Sequence, residues 1–86
     1  MKTYSVGYAN SARKEMKRLP KQVVTRIEAA ILALQNNPRP SNCIKLQDEE
    51  NLYRIRVGDY RVVYTISDEA VTILIIRVRH RKDAYD

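Results

Sequence analysis

Three arginines, Arg54, Arg56 and Arg61, are set into the stretch LYRIRVGDYRVVY, residues 52–64. A guanidinium presents a planar fork of donors to phosphate oxygens, so three on one patch suit a phosphodiester backbone. The ending RVRHRKDAYD, residues 77–86, adds His80, the only histidine, and Tyr85. Imidazole changes protonation near neutral pH unaided, and its neutral form accepts a proton. A phenol donates or accepts a hydrogen bond, or stacks on a base. No Ser-His-Asp arrangement can be argued from spacing. One histidine with the single Cys43 cannot build a usual zinc site, and Gly7 and Gly58 alone make no glycine-rich phosphate loop. The residue types point to metal-free chemistry on a phosphodiester, or to binding without chemistry.

These residues need elements to hold them. Two short alternating runs flank Gly58-Asp59, a Gly-first pair that suits a two-residue hairpin turn. That turn pairs Val57 with Tyr60, Arg56 with Arg61, Ile55 with Val62 and Arg54 with Val63. Alternation then puts Tyr53, Ile55, Val57, Tyr60, Val62 and Tyr64 on one face, and Arg54, Arg56, Arg61 and Val63 on the other. Like charges directly opposite each other destabilise a strand pair, by up to ~1 kcal/mol. A sequence chosen only for folding would not be expected to oppose Arg56 and Arg61. Solvated arginines splayed apart, or salt bridges to acids elsewhere, are the plainer alternatives.

The last strand takes its place from the turn that precedes it. Centred on Asp68-Glu69, that turn pairs Arg61 with Ile76 and Val63 with Leu74. Val78 and His80 then share the arginine face, while Arg77 and Arg79 point to the other. A one-residue bulge would reverse the two sets. The same register leaves a strip of Leu52, Val63, Leu74, Ile76 and Val78 beside the arginines, the kind of patch that marks a protein-binding surface unless a helix or the chain end covers it.

Upstream, KTYSVGY reads as a first strand. Asn10 or Ser11 can cap a helix over 11–18 whose buried stripe is Ala12, Met16 and Leu19. Pro20 suits the first turn of a second helix, 20–36, with Val23, Val24, Ile27, Ala30, Ile31 and Leu34 on one side. Asn36-Asn37-Pro38 ends it, and NPRPSN forms an ordered connector. Strands follow near 43–47, then at 52–57, 60–67 and 71–80, with DEEN and SDEA as turns. The order β-α-α-β-β-β-β makes an α+β fold: a helical hairpin on one face of a mainly antiparallel four-stranded sheet, plus the N-terminal strand.

At 86 residues the chain has room for one domain, 1–86, and no deep enclosed pocket. A net charge of +6 favours an anionic partner, although a basic surface kept for solubility has the same charge. Cys43, beside Ile44, reads as a small packing residue and suits a reducing compartment. MKTYSVGYANSARKEM lacks the apolar core of a signal peptide, and no apolar run approaches the ~20 residues of a membrane span, so a cytoplasmic location is expected.

Three segments taken together resemble one family. LPKQVVTRIEAAILALQNNPRP, LYRIRVGDYRVVYTI and VTILIIRVRHRKDAY, covering nearly the whole chain, are similar to the RelE branch of the RelE/ParE toxin superfamily. The resemblance implies the toxin of a type II toxin–antitoxin pair that inhibits translation: an endoribonuclease, without metal or cofactor, that enters the ribosomal A site and cuts mRNA. It implies attack of a ribose 2′-OH on the adjacent phosphate, leaving a 2′,3′-cyclic phosphate and a 5′-OH. It places Arg54 and Arg56 at two basic positions before the turn, where several relatives carry lysine. Arg61 of the YR pair should hold the scissile phosphate, His80 or Arg81 fills the basic position after the last strand, and Tyr85 matches a tyrosine near the chain end. Arginine stays protonated, so Arg54 and Arg56 suit electrostatic stabilisation and RNA positioning rather than base catalysis. Proton transfer then falls to His80, with Tyr85 as its partner or as a stacking group.

The expected partners are the ribosomal A site, mRNA and a RelB-like antitoxin whose acidic segment wraps the domain, with no membrane involved. Two other functions fit the same resemblance or charge: a ParE-like inhibitor of DNA gyrase without a nuclease site, and a non-catalytic RNA- or DNA-binding module.

Overall fold

The computed structural model describes residues 3–46 and 51–82 of the chain. Strand β1 spans Ser5–Tyr8, helix α1 Asn10–Lys17 and helix α2 Lys21–Asn36. The remaining strands are β2 (Ile44–Lys45), β3 (Leu52–Val57), β4 (Tyr60–Ser67) and β5 (Thr72–His80). They form one sheet in the order β1-β5-β4-β3-β2, with β1 parallel to β5 and the other neighbours antiparallel. The α+β order and the helices on a single face match the expected architecture.

That face is the core. Ala12, Ile27, Ile31 and Leu34 of the helices close on Tyr53, Ile55, Val62, Tyr64, Ile66, Ile73, Ile75 and Val78 of the sheet. Met16, Leu19 and Val23 pack partly buried against them, as does Cys43. The apolar stripes at helical spacing and the alternation in the strands therefore meet as their periods require.

The helix starts differ from the expected caps. Ala9 occupies the N-cap of α1 with no side-chain hydrogen bond. Ser11 is instead used across the fold, its Oγ donating to the Ile76 carbonyl at 2.7 Å. Pro20 is the N-cap of α2, and its carbonyl accepts from the amides of Val23 and Val24. Having no amide hydrogen of its own, it forfeits nothing there.

α1 also completes the sheet. β1 pairs with β5 only from Thr72 to Ile75. Beyond that point the edge of β5 is taken up by the amide of Ala9, bonded to the Ile75 carbonyl, then by Ser11 and by Glu15. The Val78 amide donates to Glu15 Oε1 at 2.8 Å. An edge that would otherwise offer unpaired groups to another chain is covered by side chains of one helix turn.

At the opposite end, Arg39 locks the connector after α2 to the loop between β4 and β5. Its Nη2 lies 3.0 Å from Asp68 Oδ2, and its Nε donates to the Tyr53 hydroxyl at 3.1 Å. Tyr4 adds a hydroxyl bond to Asp68 Oδ1 at 2.8 Å.

The register of the last strand corrects the expectation. Arg61 pairs with Arg79 and Val63 with Arg77, where Ile76 and Leu74 were expected. Two departures combine. The loop holds four residues, 68–71, because Ser67 pairs with Thr72, and this two-residue lengthening leaves the faces unchanged. A bulge then places Ile76 between the pairs Val63–Arg77 and Tyr64–Ile75, and this single step swaps the faces of every later residue. Val78 consequently lies in the core, 1% exposed, rather than on the exposed strip.

Candidate active site

The β3–β4 hairpin turns at Gly58-Asp59, and its register matches the one expected from sequence. Gly58 has φ +59°, a left-handed conformation that glycine adopts without steric cost. The Arg26 guanidinium of α2 lies against this turn, 2.9 Å from where a Cβ on Gly58 would stand.

On the face away from the helices the arginines form two rows. Arg56, Arg61 and Arg79 are successive partners across β3, β4 and β5. One pleat along, Arg54, Val63 and Arg77 repeat the arrangement. The sequence placed Arg54, Arg56 and Arg61 here correctly but assigned Arg77 and Arg79 to the core side. Directly opposed residues on one face have Cβ atoms about 5 Å apart, so these guanidiniums share one field.

Arg81 joins them from beyond the end of β5. Its amide donates to the Asp59 carbonyl at 2.7 Å, and its Nε lies 3.8 Å from Asp59 Oδ1. A cavity of about 60 Å³ results, lined by Arg56, Gly58, Asp59, Tyr60, Arg61 and Arg81. It brings together three of the expected site residues. Its size and three guanidiniums suit a single phosphate group, whose developing negative charge such donors stabilise.

His80 is not on this face. The bulge turns it to the helix side, where it pairs with Tyr60. The two rings meet edge to face, 5.1 Å apart at 88°. His80 Nδ1 accepts from the amide of Lys82 at 3.2 Å. The imidazole lines a separate cleft of about 320 Å³ with Glu15, Arg18, Leu19, Tyr60, Val78 and Arg79. Tyr60 borders both spaces. Tyr85 lies outside the described residues.

Glu15 is the acid at this end that sequence reasoning missed. Its Oε2 accepts from Arg79 Nε at 2.9 Å and lies 3.5 Å from Arg77 Nη1. With Oε1 bonded to the Val78 amide, one carboxylate fixes both a strand edge and two arginines. Its side chain is only 21% exposed, so these bonds are less screened than surface pairs.

The far half of the open face is apolar. Ile44 and Leu74 are 48% and 41% exposed, and Leu52 and Val63 lie beside them half-buried. Of the expected strip, Val78 is withdrawn and Ile76 occupies the bulge, while Ile44 is added. Among the described residues no helix is long and apolar enough to cross a membrane.

Comparisons with known proteins find relatives over nearly the whole chain. A family model described as the ParE toxin of the type II toxin–antitoxin system parDE matches residues 6–85. Toxin RelG of Mycobacterium tuberculosis is 31% identical over 83 residues, covering 95% of each chain. Toxin RelE3 of Methanocaldococcus jannaschii is 35% identical over 85 residues, covering 94% of each. The archaeal RelE–RelB complex from Pyrococcus horikoshii superposes with a TM-score of 0.82 at 32% identity, over 95% of this chain and 99% of that one. The intact RelBE toxin–antitoxin complex of Escherichia coli gives 0.81 at 27% identity, over 96% and 99%.

Proposed function

Because the chain belongs to the RelE/ParE family of type II toxin–antitoxin toxins, we propose that it is a RelE-type endoribonuclease that cuts mRNA in the ribosomal A site. The observation that carries this reading is the single cavity formed by Arg56, Arg61 and Arg81, with Arg54 on the same face. In the proposed reaction the scissile phosphate occupies that cavity. The 2′-oxygen of the preceding ribose forms a bond to phosphorus as the bond to the 5′-oxygen breaks, giving a 2′,3′-cyclic phosphate and a 5′-OH. Arginines fixed in advance around the phosphate stabilise the charge that develops on its oxygens.

Proton transfer needs a different group, since a guanidinium keeps its protons. His80 takes the proton of the 2′-OH in this proposal, approaching around the end of β5 rather than across the open face. Tyr85 is assigned the return of a proton to the departing 5′-oxygen. The antitoxin is proposed to cover the open face. Its apolar residues would rest on Ile44, Leu52 and Leu74, and its acids would pair with the arginine rows.

The family model's ParE description favours one other reading, inhibition of DNA gyrase without RNA cleavage. Ribosomes programmed with a defined mRNA, run beside a gyrase supercoiling assay, separate the two. RNA ends carrying cyclic phosphate support the nuclease. Intact RNA with inhibited gyrase supports the other.

A further inference from the structure

We infer that Asp59 is an internal counterion of the phosphate cavity, a specificity-determining residue whose carboxylate yields Arg81 when a phosphodiester enters. The inference rests on the nuclease reading above. It adds the group that sets RNA held in the ribosomal A site apart from free RNA and other loose anions.

Three observations carry it. First, among the described residues that line the cavity of about 60 Å³, one carboxylate, Asp59, shares the space with the guanidiniums of Arg56, Arg61 and Arg81. A site shaped only for the tightest grip on phosphate would hold no acid, since a like charge about 5 Å away opposes an incoming anion even through water. Second, the backbone keeps the acid there. Gly58, at φ +59°, sets the turn, and the Asp59 carbonyl accepts from the Arg81 amide at 2.7 Å. Asp59 and Arg81 therefore stay beside each other whatever their side chains do. Third, the side-chain contact itself is loose. Arg81 Nε lies 3.8 Å from Asp59 Oδ1, with the two side chains 70% and 63% exposed. An ion pair this long and this open is weak and easily exchanged. Glu15 shows the contrast: its carboxylate sits 2.9 Å from Arg79 Nε at 21% exposure, and it fixes that arginine.

The exchange bears on selectivity. A phosphate that enters replaces the carboxylate as the anionic partner of Arg81, so the gain is the difference between the two contacts rather than a whole new charge-assisted bond. An anion free in solution must also give up its translational and rotational freedom, and a small gain does little to offset that. RNA already held in the A site has less of that freedom left to lose, so the same small gain suffices. The carboxylate thus discriminates by opposing the wrong ligand more than the right one.

The test compares the wild type with Asp59→Asn, which keeps the size, the backbone carbonyl and a side-chain acceptor but gives up the charge. Glu69→Gln is the reference, because it removes the same charge from an exposed loop at the other end of the eight-residue strand β4. Inorganic phosphate is titrated at low salt for its affinity, and free single-stranded RNA is titrated as an inhibitor of cleavage on programmed ribosomes. Asp59→Asn should bind phosphate about fourfold more tightly, the Coulomb scale of one charge about 5 Å away in water. Free RNA should inhibit it at a severalfold lower concentration. Glu69→Gln should leave both readings at wild-type values. Phosphate binding by Asp59→Asn no tighter than by Glu69→Gln overturns the counterion, and weaker binding would make Asp59 a turn residue only. Unchanged inhibition by free RNA overturns the selectivity. A wild type that leaves intact mRNA uncut overturns the nuclease reading instead, and the phosphate titration still decides the counterion.

Discussion

Arg61 in β4 is the direct partner of Arg79 in β5, and it faces Arg56 in β3 on its other side. Three arginines thus stand in line across the sheet, where like charges directly opposed lower the stability of a strand pair and the Glu15 carboxylate offsets that of Arg79. A bound polyanion relieves that repulsion. Phosphate should raise the Tm of the wild type, at matched ionic strength with chloride, by several degrees more than that of Arg61→Gln. Binding to the native state alone produces such a gain. Equal shifts in the two proteins, read by thermal unfolding, would show that the row is not an anion site.

Glu15 allows its two duties to be separated. Glu15→Gln keeps an acceptor for the Val78 amide and gives up the charge that faces Arg77 and Arg79. Glu15→Ala gives up both, and a backbone donor left without a partner costs about 1–3 kcal/mol. Urea unfolding should therefore rank the stabilities wild type, then Gln, then Ala, with the larger step to Ala. A Gln variant as unstable as Ala would assign the main contribution to the ion pairs.

Tyr64 sets a limit at high pH. Burial pushes its hydroxyl well above the usual phenol range, with the nearby Cys43 sulfur acting in the same direction. The hydroxyl also donates to the Pro38 carbonyl at 2.8 Å. The folded chain then keeps this proton after the unfolded chain has released it, above about pH 10. The stabilising contribution is complete below that pH and declines as pH rises beyond it. Tyr64→Phe should lower stability at neutral pH and flatten the alkaline decline. The same alkaline slope in the variant would place the titration elsewhere.

His80 carries the proton-transfer part of the proposal. His80→Gln should lower cleavage on programmed ribosomes by ~10²-fold or more while the fold is retained. Wild-type rates would remove His80 from the chemistry and leave the arginines as the catalytic apparatus.

How much of this was legible in the sequence depended on turn length. Gly58-Asp59 left one register for the β3–β4 hairpin, so the faces of Arg54, Arg56 and Arg61 could be read directly. The β4–β5 connection carried no such mark. A four-residue loop and a bulge at Ile76 are packing outcomes, and the bulge exchanged His80 and Val78 for Arg77 and Arg79 on the open face. Alternation of charge in RVRHR showed that arginines would share a face, but not which one. Glu15 was invisible for another reason: its partner Val78 lies 63 residues away in the chain. Ser11, which looked like a helix cap, was likewise claimed by a contact with β5.

In the proposed reaction the hairpin-tip cavity holds an RNA phosphate during cleavage. The most direct measurement compares the wild type and Arg61→Ala on ribosomes programmed with a defined mRNA, with the chemistry of the new ends determined. The wild type should produce 2′,3′-cyclic phosphate and 5′-OH ends, and Arg61→Ala should do so at least ~10²-fold more slowly, the scale of losing one preorganised donor. Cleavage at the same rate in both proteins would remove the phosphate from this cavity, and intact mRNA beside an inhibited gyrase would remove the nuclease activity.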